Sequence, residues 1–343
     1  MKQHPASVKR RYILFCSAAA CLLLAAVVLF DALRPPQEGL AAADFLMGTV
    51  VEVQLAGRQE DAQAVFDRIR SCENDQISRR RAGSEIARLN QNSSAALSPD
   101  VAAWLSELMD IQEASSGAFS LSLGTLSDLW NFDFFPSLPS QGEIDTRLEA
   151  IQNGGLTLQG EFAAVSDGVI LDLGAAGKGI ACDLAKETLL ARGVTSGVVS
   201  VGGSLLLLGE KERTIAIRDP FGDAGDSFAT LRLSNCFVST SGSYEKYFEQ
   251  DGVRYHHILD PKTGYPADAG LSSVTVVCGE GLLSDALSTA CFVLGIEQSR
   301  PVLRQYGAEA VFVGTDGAVT VTEGLLGRYE RLADPGAGGL SKQ

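Results

Sequence analysis

Apolar and polar positions along this chain change their spacing several times, and the changes divide it into elements. Ile13 to Phe30 is an apolar run broken only by Ser17, close to the roughly 20 residues a helix needs to span a bilayer. Residues 31–43, rich in Pro, Ala and Gly, read as a linker. Phe45 to Leu55 alternates, Val51 and Val53 against Glu52 and Gln54, as a half-buried strand does. From Asp61 to Cys72 the period lengthens, and Ala62, Val65, Phe66 and Ile69 share one helical face. Ser98 and Pro99 supply an N-cap and first-turn residue for a helix running through Val101, Leu105, Leu108 and Ile111 to Gly117. Leu129 to Phe135 gathers Trp130, Phe132, Phe134 and Phe135 before Pro136.

The second half alternates many strands with fewer helices. Val169–Leu173 reads as a short strand running into Gly174-Ala175-Ala176-Gly177-Lys178-Gly179, and a helix then runs from Ile180 to Arg192 and stops at Gly193. Val198–Val201, Leu205–Leu208, Thr214–Ile217, Thr230–Leu233 and Ser273–Val277 read as strands, with hairpins at Gly202-Gly203 and Thr315-Asp316-Gly317. Strands in hairpin order with interspersed helices predict an α+β fold, with mixed or antiparallel sheets and packed helices. The expected organisation is a basic cytoplasmic N-terminus at 1–11, a transmembrane helix at 12–30, the linker at 31–43, one folded domain at 44–330 and a flexible tail at 331–343.

Charge sharpens the N-terminal reading. Lys9-Arg10-Arg11 precedes the apolar run, which favours leaving that end in the cytoplasm and anchoring the rest outside it. A cleaved signal peptide is the alternative, with Ala41-Ala42-Ala43 as its processing site. The chain carries a formal charge of −14, and its N-terminal segment is basic, so the folded part is more acidic still. Such a surface argues against nucleic acid as a partner. Cys72, Cys182, Cys236, Cys278 and Cys291 show no metal-ligand spacing, and no disulfide framework is expected.

Three places can carry chemistry. Gly174–Gly179 precedes a helix, a context in which backbone amides hold phosphate, although its spacing matches neither a P-loop nor a dinucleotide fingerprint; a plain tight turn reads equally well. Asp285 and Thr289, four residues apart, share one helical face, and a carboxylate with a hydroxyl suits a hard cation; helix capping is the alternative. His256 and His257 are the only imidazoles of the folded part, since the third histidine is His4. Adjacent residues of an extended chain point opposite ways, so one of the pair faces any chemistry, and spacing leaves open which.

Met47-Gly48-Thr49, Leu171 to Gly179, Val201-Gly202-Gly203, Thr240-Ser241-Gly242, His257 to Gly264 and Asp285 to Ala290 occur in the order seen in FAD:protein FMN transferases of the ApbE type, which the chain resembles over roughly residues 44–325. The resemblance implies an exported or membrane-anchored α+β enzyme. Such an enzyme cleaves FAD with Mg²⁺, attaches FMN through its phosphate to a threonine of an acceptor protein, and releases AMP. It further implies that Asp285, Thr289 and the carbonyl of Ala175 bind Mg²⁺, and that His257 is the catalytic histidine. Met47, Asp172 and Lys178 would hold FAD, with Ala118, Phe119, Ser120, Ile258 and Leu259 around the flavin. Three residues depart from the family pattern: Arg80 in place of an aromatic residue, and Ser120 and Ser204 in place of aspartates. The expected acceptor is an extracytoplasmic electron-transfer flavoprotein with a Ser/Thr-Gly-Ala-Thr-like motif. This chain's own Ser227-Phe228-Ala229-Thr230 lacks the glycine, so self-modification is not expected. An FAD pyrophosphatase and a non-catalytic flavin-binding protein are the alternatives.

Overall fold

Strands β1 (Gln37–Leu46) and β2 (Thr49–Gly57) lead into helix α1 (Gln59–Ser71), which widens into a π-helical turn over Cys72–Ile77. Helix α2 (Glu85–Asn92), β3 (Ser94–Ala96), α3 (Pro99–Ala114), α4 (Gly124–Trp130), α5 (Gln141–Asn153), β4 (Leu156–Gln159) and β5 (Phe162–Val165) follow. Then come α6 (Gly177–Ala191), β6 (Gly197–Val201), β7 (Ser204–Leu208), β8 (Arg213–Arg218), β9 (Ser227–Leu233) and β10 (Cys236–Gly242). A hairpin of β11 (Tyr247–Gln250) and β12 (Val253–His256) precedes β13 (Leu271–Cys278), α7 (Gly281–Leu294) and α8 (Ile296–Gln305). Strands β14 (Glu309–Gly314), β15 (Val319–Val321) and β16 (Tyr329–Arg331) complete the chain. This computed structural model describes residues 37–332. The segments expected as cytoplasmic N-terminus and transmembrane helix, and residues 333–343 of the tail, lie outside the described residues. Among those described, no helix is long and apolar enough to cross a membrane.

The main sheet has the order β1-β2-β6-β7-β10-β13-β14-β15, and its pairings from β2 onward are antiparallel. Strand β13 is buried at every position because both faces of the sheet are covered. Phe237, Leu206 and Val201 pack with Ala181, Ala185 and Leu189 of α6 on one face. Leu231 and Leu233 of the β16-β9-β8 sheet pack with Val238, Val277 and Val311 on the other. This is the α+β architecture that the strand pattern predicts.

Four local differences have physical causes. The strand expected over 45–55 is two strands joined at Met47-Gly48, both in the left-handed region at φ 53 and 71, as a two-residue hairpin turn requires. Residues 37–43, expected as linker, belong to β1, where Leu40 and Ala42 pack against the core beside Leu46; small side chains hid a half-buried edge. Val169–Leu173 is not a strand. Its backbone is bonded by side chains and a loop instead: Thr125 Oγ1 accepts from Ile170 N, Asn90 bonds both the N–H and the carbonyl of Leu171, and Asp172 N–H donates to Leu121 O. Strand β10 was not foreseen, because Ser239-Thr240-Ser241 reads as loop in composition although it crosses the middle of the sheet.

The five described cysteines are free. Burial pushes the thiols of Cys72, Cys278 and Cys291 up to about 12, that of Cys236 to about 11, and that of Cys182 well above its usual value.

Candidate active site

The site forms where α6 and α7 cross against the ends of β7 and β10. Helix α6 begins at Gly177, ahead of the expected Ile180, so Lys178 and Gly179 stand in its first turn. A Cβ on Gly179 would strike the carbonyl of Gly281, and one on Gly281 would strike the carbonyl of Gly179. Only glycine at both positions lets the two backbones touch.

That contact places Asp285, whose residue is 3% exposed. Its Oδ2 accepts from Gly179 N–H at 2.9 Å, its Oδ1 accepts from Ser204 Oγ at 3.1 Å, and Lys178 Nζ stands 4.0 Å away. Ser239 Oγ donates to Ser204 Oγ at 3.0 Å and lies 2.7 Å from Ser284 Oγ. One turn along α7, Thr289 Oγ1 lies 3.2 Å from Ser241 Oγ, which lies 2.7 Å from Ser288 Oγ. The foreseen pair therefore shares a helix face, and an unforeseen row of hydroxyls from β10 lies against it. Ser284 is inside α7 and donates its hydroxyl to Gly281 O.

Strand β12 separates the two histidines. His256 is buried, donates from Nε2 to Ala267 O at 3.2 Å, and meets the Phe292 ring edge-on at 5.5 Å. His257 follows the strand and donates its backbone N–H to Lys246 O at 3.0 Å; its Nδ1, like that of His256, has no partner among the described residues. Burial foremost, then the charges of Lys246, Lys178 and His256, pushes the His257 imidazole down to about 4. It is a neutral base at pH 7. Lys178, whose charge contributes to that depression, stands 4.0 Å from Asp285. The Asp260–Gly264 turn after His257 is closed by Gly264 N–H to Asp260 O at 2.8 Å, and Trp130 Nε1 donates to Gly264 O at 2.8 Å. Trp130, Phe132, Phe248 and Tyr255 stack beneath the hairpin.

Met47 reaches over the start of α6, where a Cβ on Gly177 would meet its Cε at 3.3 Å. A non-glycine residue at positive φ is uncommon; here Glu73 Oε2 holds it by accepting Met47 N–H at 2.9 Å. Asp172 caps the Gly174 turn, accepting from Gly174 N–H at 2.8 Å, and pairs with Arg79 Nε at 2.8 Å. Arg79, on its other side, bonds Asp128. Ala175 is half-buried in that turn. Asp133 bridges Arg80 and Lys246, each at 2.6 Å, and despite the opposing effect of burial these bonds pull its carboxyl down to about 2. Sequence reasoning missed Arg79, Asp128, Asp133 and Lys246; the Arg79-Arg80-Arg81 run was their only signal. Ala118, Phe119, Ser120, Ile258 and Leu259 are buried. Ser120 Oγ accepts from Ser122 N–H at 3.2 Å, and Ile258 and Leu259 join separate apolar clusters. A cavity of about 450 Å³ lined by Met109, Gly117, Leu121 and Ser122 lies beside that segment; none of its lining residues bonds Asp285 or His257, so the chemistry is placed by the polar geometry.

Asp285, the Thr289 hydroxyl and the Ala175 carbonyl are hard oxygen donors of the kind Mg²⁺ takes. Among the described residues no cluster of three His, Cys, Asp or Glu side chains forms a metal cage. One carboxylate with neutral oxygens fits an ion that shares its coordination with water and substrate phosphate.

A model of the ApbE family matches residues 47–312. The chain is similar to the FAD:protein FMN transferase of Treponema pallidum, at 33% identity over 84% of this chain and 88% of that protein. It is 36% identical to that of Klebsiella pneumoniae over 78% of this chain and 87% of the relative. The ApbE protein of Thermotoga maritima has the same fold, with a TM-score of 0.76 and 32% identity over 83% of this chain and 97% of that one.

Proposed function

The chain belongs to the ApbE family, and on that premise we propose that it is a flavin transferase moving the FMN half of FAD to a threonine hydroxyl of an acceptor protein. The new bond joins the threonine oxygen to the FMN phosphorus, the pyrophosphate P–O bond breaks, and AMP leaves. The observation that carries this reading is the Asp285 carboxylate, held by Gly179 N–H and Ser204 Oγ with Lys178 Nζ 4.0 Å away where α6 and α7 cross.

A threonine hydroxyl is a poor nucleophile until a base takes its proton, and His257 is a base already stripped of its own. Asp285, Thr289 and the Ala175 carbonyl would hold Mg²⁺, whose bound charge would offset that of the phosphate oxygens. Lys178 and the first turn of α6 present positive potential to the same phosphates, which the acidic remainder of the protein does not provide. We place this domain outside the cytoplasm behind the anchor at 12–30.

Incubation with FAD, Mg²⁺ and a peptide bearing Ser-Gly-Ala-Thr is expected to yield AMP and a peptide heavier by one FMN, in equal amounts. Water is the competitor, and positioning supplies an effective molarity of ~10⁵ M or more. Fast release of AMP and free FMN regardless of peptide, with no labelled product, would establish the pyrophosphatase instead.

A further inference from the structure

Helices α6 and α7 carry the same five-residue pattern at their starts: Gly179 with Asp183, and Gly281 with Asp285. The two copies clasp one another. Gly179 N–H donates to Asp285 Oδ2 at 2.9 Å, and Gly281 N–H donates to Asp183 Oδ1 at 2.8 Å. Each glycine sits on the other's carbonyl, so the crossing has an approximate two-fold relation centred on the glycine pair.

The copies then diverge. Asp183 Oδ2 also accepts from Leu282 N–H at 2.7 Å, so both oxygens of Asp183 are taken by opening amides of α7. Asp285 gives one oxygen to a single amide and faces Ser204 and Lys178 with the other. Helix α7 has no cap of its own, because the Glu280 side chain at its N-cap bonds none of the helix's opening amides. Four N-terminal amides of any helix lack partners within it, and here two of them are satisfied by a residue of the neighbouring helix.

We propose that Asp183 is a positioning residue for the reaction: by capping α7 from α6 it fixes the turn of α7 that presents Asp285 and Thr289 to Lys178 and the Gly174–Gly179 loop. This rests on the metal role given to Asp285 above. Asp183 touches neither substrate nor metal. Its effect passes through the α7 backbone, since the amides it holds, Gly281 and Leu282, lie one turn before Asp285.

The experiment reads metal binding apart from turnover. Mn²⁺ affinity of the full chain, without FAD, is measured by electron paramagnetic resonance for wild type, Asp183→Asn and Asp183→Ala, alongside thermal melts. Loss of a group that orients a metal ligand costs 10–100-fold in affinity as a rule. Asp183→Ala is expected to weaken Mn²⁺ binding by about that factor, and to raise the Mg²⁺ needed for half-maximal FAD cleavage in parallel. Asp183→Asn keeps one acceptor oxygen and falls between. Thermal destabilisation with unchanged Mn²⁺ affinity would make Asp183 a structural cap only and overturn the proposal. Should Asp183→Ala fail to fold, Asp183→Asn carries the test alone, and wild-type affinity in it would be equally fatal. If wild type binds Mn²⁺ yet cleaves no FAD, the functional reading fails while the positioning result still stands.

Discussion

The Asp285 half and the His257 half of the site are built by opposite means. Asp285 takes its hydrogen bonds from neutral, buried groups, a backbone amide and the Ser204 hydroxyl, with Lys178 Nζ 4.0 Å away, between a helix crossing and the central sheet. His257 follows a hairpin whose strands are largely solvent-facing, and burial first, then the charges of Lys246, Lys178 and His256, acts on its ring. Fixed hydrogen-bond donors hold the carboxylate in place, whereas burial, aided by nearby cations, lowers the imidazole.

The comparison breaks most completely at Asp285. Asp285→Ala is expected to abolish Mg²⁺-dependent FAD cleavage, measured as AMP release, because neutral hydroxyls cannot replace the lost charge. Substantial turnover in that variant, unaffected by a chelator, would remove the metal from this half altogether.

Next in size is the histidine. His257→Ala is expected to slow transfer by about 10²–10⁴-fold, the span of general acid–base catalysis, while FAD binding survives. His256→Ala should keep its rate within a few-fold and lose about 1–3 kcal/mol of stability, since Ala267 O loses a buried donor. Equal rates for the two variants would show that the pair had been assigned the wrong way round.

The smallest effect sharpens the comparison. The neutral imidazole is the competent base, and it predominates above its folded value of about 4. Activity carried by His257 should therefore rise through about pH 4 and be level from pH 5 to 7. A titration near the ordinary histidine value of ~6.5 would mean that the ring is hydrated and that Lys246 and Lys178 do not act on it.

The sequence showed the two halves unequally. Asp285 and Thr289 were placed on one face by helical spacing alone, and Val51/Val53 alternation located β2. Thr240-Ser241-Gly242 was noticed only through the family resemblance, because serine and threonine in succession signal a loop and show no strand alternation. The Val169–Leu173 segment misled because its apolar residues pack as a strand's would while side chains take its hydrogen bonds. The repeated glycine–aspartate spacing was in plain view, but its meaning needs the contact between residues a hundred positions apart. Which histidine faces the site came from family resemblance; in the structure His256 bonds Ala267 O, and neither Nδ1 has a partner among the described residues.

The five described cysteines, four buried and one half-buried, bear on the chain's chemistry toward oxidants. Disulfide exchange proceeds through the thiolate, and thiols held near 11 to 12 or above expose almost none of it at physiological pH. These five sulfurs behave as small greasy spacers. Among the described residues, the fold is therefore held by packing and hydrogen bonds, and its thiols are poor partners for disulfide exchange.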